Sequence, residues 1–167
     1  MPLRLVDGVV YHLNGISVYP AKAVAPVPFE KLVLVDRFGC FVGISVDENG
    51  SAVLEGRLIA DISHDRLEFI QAYDRKHYLF TGTSVLPVKF NLEFDNSGGW
   101  KGIWHIIDSL PGVVGYVFMS VTSWTGDTRT LSMEMAEYFE GRGQSWNTIR
   151  ERVREEFTAQ GLKLGQE

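Results

Sequence analysis

Six aromatic residues carry the strongest chemical suggestion in this chain: Tyr78, Phe80, Phe90, Trp104, Tyr116 and Phe118. They fall on segments whose apolar residues alternate, so a curved sheet could gather them on one inner face around a single cavity. The chemistry would be recognition of a small apolar or aromatic ligand. Rings supply contact area, while a buried tyrosine hydroxyl or indole N–H needs a partner that a ligand can provide. The competing reading is that these rings are simply core.

Acid–base chemistry has three candidate carboxylates, Glu55, Glu68 and Glu93, with Tyr116 or His77 as partner. A carboxylate on an inner face has a raised pKa and can act as a base. Metal binding finds no support in the spacing. His12, His64, His77 and His105 are scattered, and no pair lies at i,i+4 on a helix or i,i+2 on a strand. The single cysteine, Cys40, sits in an apolar run and reads as a buried structural thiol. No Gly-x-Ser-x-Gly elbow, phosphate loop or dinucleotide fingerprint occurs. Asp47-Glu48-Asn49-Gly50 lacks the spacing and closing glutamate of a calcium loop. No motif names a reaction, and none implies a metal or cofactor.

The segments that must position these residues are read from periodicity. Val88, Phe90, Leu92 and Phe94 alternate with polar residues, as do Trp100, Gly102, Trp104 and Ile106 after a turn at Asp95–Gly99. Facing Phe94 with Trp100 puts Leu92 against Gly102 and Phe90 against Trp104. Glu93 then meets Lys101, and Lys89 meets His105; a one-residue slip would spoil both faces. A similar register across Pro111-Gly112 places Trp104 beside Tyr116 and Gly102 beside Phe118. Phe41 opposite Gly56 repeats the pairing of glycine with a ring.

Upstream, Asp7-Gly8 and Asn14-Gly15 read as hairpin turns dividing Leu3–Val6, Val9–Leu13 and Ile16–Tyr19. Pro20, Pro26 and Pro28 read as an extended linker. Strands follow at Leu32–Asp36, Cys40–Val46, Ser51–Ala60, Leu67–Tyr73 and His77–Thr83, and the last at Val113–Trp124. This predicts a mainly β fold: an antiparallel barrel or strongly coiled half-barrel of about ten strands. After residue 127 the period becomes helical, with Leu131, Met135 and Tyr138 or Phe139, then Trp146, Ile149, Val153 and Phe157 in one stripe between Ser145 and Gly161. One domain is expected over 1–167, with a barrel over 1–127 and a helical segment over 128–167 docked on it through Trp146.

Composition excludes several function classes. Net charge is −5, and neither the barrel segment nor the helical segment is basic, so nucleic acid is not an expected partner. No apolar run reaches the ~18 residues of a membrane helix, and Met1–Arg4 lacks a signal-peptide layout. With one cysteine, the expectation is a cytoplasmic protein. Three functions stay open. The leading one is a carrier or sensor of a small apolar ligand. The second is an assembly subunit that packs against copies of itself or partners. The third is a cofactor-free isomerase or cyclase in the barrel cavity.

Overall fold

Period-two alternation survives in eight segments, and each forms a strand. In the computed structural model these are β1 (Val10–Val18), β2 (Val27–Val35), β3 (Cys40–Asp47), β4 (Gly50–Ile59), β5 (Arg66–Tyr73), β6 (Val88–Phe94), β7 (Trp100–Ile106) and β8 (Val114–Ser123). The structure describes residues 5–19, 25–47, 50–60, 65–73, 87–95, 99–107, 114–141 and 145–162. Each strand pairs antiparallel with the next, and β8 returns to β1, closing an up-and-down barrel. A 3-10 turn at Thr128–Thr130 leads into α1 (Met133–Gly141) and α2 (Trp146–Ala159).

Among the described residues the closed barrel has eight strands, against the expected ten or so. The expected turn at Asn14-Gly15 does not form, and β1 runs straight through it. Gly15 is there for close approach: a Cβ on it would collide with the Phe118 carbonyl and come 2.8 Å from Phe29 Cζ. Asp7-Gly8 does turn the chain, with Gly8 at a φ of 76°. Pro28 is not linker but part of β2, outward-facing and exposed opposite Ile16. The expected strand His77–Thr83 lies outside the described residues, as do Leu3 and Arg4 of Leu3–Val6, while Leu5 and Val6 are not in a strand.

The β6–β7 register is the one expected, with Phe90 opposite Trp104, Leu92 opposite Gly102 and Lys89 opposite His105. Phe41 faces Gly56 as expected. Across β7–β8 the expected register is off by one residue. Trp104 pairs with Gly115 and Gly102 with Val117, so Gly115, Val117, Met119 and Val121 point inward. Tyr116 and Phe118 point outward and are about half exposed. Small residues win the inner positions because Trp100 and Trp104 already fill the space opposite them.

Two apolar clusters hold the molecule. The first fills the barrel: Tyr11, Leu13, Phe29, Val33, Phe41, Leu54, Phe69, Phe90, Leu92, Trp100, Trp104, Val117 and Met119 belong to it. The second lies between wall and helices. Leu32, Ile44, Val53, Ile70 and Ala72 point out from β2–β5 and meet Met135, Ile149, Val153 and Phe157. β2 is therefore buried on both faces. α2 starts at Ser145, whose hydroxyl accepts the Thr148 N–H at 3.2 Å, and ends at Gly161 with φ 68°. Trp146 is not the anchor expected of the largest residue. It is half-buried against Phe139, while Ile149, Val153 and Phe157 are fully buried.

Candidate functional site

β2 carries one charged residue on its inward face. Phe29, Lys31, Val33 and Val35 alternate into the barrel, and the Lys31 side chain is completely buried among rings. Its Nζ lies 4.3 Å from the Phe29 ring centre, 4.9 Å from that of Phe90 and 5.6 Å from that of Phe69. Phe69 and Phe90 stack on each other at 4.6 Å. The amine donates to Gln71 Oε1 at 2.6 Å and to Ser45 Oγ at 2.9 Å, both themselves buried. The acceptors come from β5 and β3, so three strands converge on one nitrogen.

Burial pulls the Lys31 amine down from its ordinary value to about 7, and the negative charge of Asp47 partly opposes the change. Asp47 ends β3 and accepts a short hydrogen bond from the Tyr73 hydroxyl at the end of β5. A polar track thus runs along the inner wall from Lys31 through Ser45 and Gln71 to Asp47 and Tyr73. On another part of the same aromatic interior, Trp104 buries its indole against Tyr19, ring centres 4.8 Å apart. Its Nε1–H has no hydrogen-bond acceptor among the described residues. A buried donor without an acceptor costs roughly 1–3 kcal/mol.

The six aromatic candidates are divided by this geometry. Phe90 and Trp104 share the interior, and Phe90 touches the Lys31 site. Tyr116 and Phe118 stand on the outer face, because the β8 register differs from the expected one. Tyr78 and Phe80 lie outside the described residues. Lys31, Ser45 and Gln71 were missed. Their signal was present in Phe29-x-Lys31-x-Val33-x-Val35, where one cation interrupts an apolar alternation of period two.

The three candidate carboxylates do not enter the barrel. Glu55 is outward-facing and half-buried, and burial holds its carboxyl above the ordinary range. Glu68 pairs with Arg57 at 2.7 Å, and Glu93 is exposed opposite Lys101. His77 lies outside the described residues. His105 sits on the outer face opposite Lys89, as expected. His12 is joined to Glu30 at 2.6 Å, and the same carboxylate accepts the Ser132 N–H at 3.0 Å, tying the β1–β2 wall to the start of α1. Cys40 is exposed rather than buried; local desolvation and the nearby Asp36 and Glu55 charges hold its thiol above its ordinary value. Among the described residues no three His, Cys, Asp or Glu side chains converge as metal ligands.

A concavity lies on the outer face of the barrel. Arg66, Glu68, Asn91, Glu93 and Lys101 border an open trough of about 570 Å³ that Ile103, Tyr116 and Phe118 line from the other side. The fold and interior define an eight-stranded antiparallel barrel with a buried lysine amine in an aromatic core and helices on one flank. Comparison with protein-family models, curated proteins and solved structures finds no match. No described helix is long and apolar enough to cross a membrane.

Proposed function

We propose that this chain is a small-molecule-binding barrel whose ligand joins an apolar or aromatic body to a hydrogen-bond-accepting head, a carboxylate or a carbonyl. The observation that carries this reading is the buried Lys31 amine, ringed by Phe29, Phe69 and Phe90 and held, among the described residues, by two neutral acceptors. A methionine would fill the same space without the cost of desolvating an amine, so stability alone gives no reason for a lysine there. The interior is also rich in donors. Among the described residues a protonated Lys31 has three N–H groups for two acceptors, and Trp104 has one for none. A ligand bringing acceptor oxygens corrects that imbalance, and its apolar body replaces ring–ring contacts with ring–ligand contacts.

Phe29, Phe90 and Trp104 are at most 5% exposed, so the rings must swing aside to admit such a ligand. Apparent affinity is then reduced by the fraction of molecules in the open form. The test uses anilinonaphthalene sulfonate, an aromatic anion whose emission rises on burial. The wild-type protein is expected to bind about one probe per chain, Lys31→Met to lose that binding while remaining folded, and Tyr116→Asp on the outer wall to keep it. Equal binding by folded Lys31→Met would remove the basis for the reading. Native mass spectrometry of freshly purified protein then reports any retained natural ligand.

A further inference from the structure

The barrel wall is unequally covered. α1 and α2 lie over the outward residues of β2–β5, whereas β7, β8 and β1 carry an uncovered apolar stripe. Ile103 is 42% exposed, Tyr116 51%, Phe118 48% and Ile16 38%. Register makes them neighbours: Ile103 pairs with Tyr116 and Phe118 with Ile16. Single exposed apolar residues are ordinary, but a contiguous group on one sheet face marks a contact surface.

We propose that this face is the interface of a twofold homodimer, in which the Ile103–Tyr116–Phe118 ridge of each copy seats in the trough of the other. The ridge is itself the apolar wall of the trough, so each copy presents a raised and a recessed strip on one surface, as an isologous contact requires, since each patch must complement itself. The charges agree. The chain carries −5, yet the trough rim holds two cations, Arg66 and Lys101, and two anions, Glu93 and Glu68, the latter already paired with Arg57. Two acidic copies meet with least repulsion where each is locally neutral. Arg66, Glu93 and Lys101 follow one another in register across β5, β6 and β7, so signs alternate along the rim and a rotated copy can oppose cation to anion. A closed barrel has no free strand edge, so the contact is made by side chains face to face. A nucleic-acid strand on these aromatics would need a net positive groove, which this neutral rim does not supply.

The test is sedimentation velocity on the full chain over roughly 1–100 µM, the range of an ordinary dimer constant. A dimer is expected. Phe118→Glu and Tyr116→Glu replace exposed side chains, so they should leave circular dichroism unchanged and weaken dimerisation by more than about tenfold. Lys101→Glu should also weaken it, and adding Glu93→Lys should restore part of the loss. A monomer throughout the range overturns the proposal, including the case in which a different protein covers the stripe. So does a dimer or larger assembly that survives both aromatic substitutions. Probe binding at Lys31 is measured separately, so either reading can fail alone.

Discussion

The indole of Trp104 occupies the volume that a side chain at residue 115 would need: a Cβ on Gly115 would overlap ring atoms Cε2, Cζ2 and Nε1. The two residues are register partners on β7 and β8. Gly115→Val should therefore push the indole off its rotamer and destabilise the protein by about 1–3 kcal/mol. Urea titration followed by tryptophan emission measures this directly. An unchanged midpoint would mean that the ring does not lie over residue 115.

Lys31 makes stability depend on pH in a defined direction. Its amine titrates at about 7 in the folded chain against an ordinary value of 10.5. Between those values the unfolded chain binds a proton that the native chain does not, so stability rises with pH through that window. Below about pH 7 both states are protonated and the cost of burial is present in full. Lys31→Met should lack the rise and be more stable than wild type at about pH 6 by roughly 1–4 kcal/mol, the gap narrowing towards pH 10. Urea midpoints of both proteins at several pH values check it. Parallel curves for the two would contradict the buried amine.

Glu30 joins the barrel to the helical segment, accepting from Ser132 N–H and contacting His12. Ser132 in turn caps α1, its hydroxyl accepting from Met135 N–H at 3.2 Å. Glu30→Ala should cost about 1–3 kcal/mol and leave the Ser132 amide without its partner. Hydrogen exchange at residues 132–136 should quicken more than exchange in β6 and β7. Uniform acceleration would instead indicate a global effect.

Removing residues 144–167 uncovers Leu32, Ile44, Val53 and Ile70, which α2 shields through Ile149, Val153 and Phe157. The melting temperature should fall and an apolar dye should bind the exposed wall. Phe157→Ala alone should cost about 3–5 kcal/mol. The dimer face lies on β7, β8 and β1, so neither change should alter oligomeric state. Conversion of a dimer to a folded monomer by truncation would place the contact on the helices instead.

Much of the barrel is legible in the sequence because one wall residue in two must be apolar. The β6–β7 hairpin is fixed by charge pairing on one face and rings on the other, and the structure has that register. β8 defeats the same reasoning. Val114, Tyr116 and Phe118 and the alternate Gly115, Val117 and Met119 are both apolar sets, so hydrophobicity does not decide between them. Volume decides: two tryptophans on β7 leave room only for the smaller set, and that information lies on a neighbouring strand. Asn14-Gly15 misleads for a related reason, since a glycine required by close packing resembles a glycine required by a turn. The Lys31 centre is half legible. A lone cation in an apolar alternation is visible, but its acceptors Ser45 and Gln71 come from strands whose convergence only closure provides.

The seam between β1 and β8 pairs Tyr11 with Ser123 and Val18 with Tyr116. Closure therefore waits on the last strand to be made. At synthesis rates of about 5–20 residues per second, β1 remains an unpaired edge for roughly 5–20 s after it emerges. Through that interval the nascent chain is an open sheet with two free edges and an aromatic face bare to water. Such a chain folds slowly, because its decisive contacts are its most distant ones. The helices emerge later still and cover β2–β5, the portion of wall that has waited longest. The order of the chain thus leaves the early sheet, not the finished barrel, with free edges open to pairing with another strand.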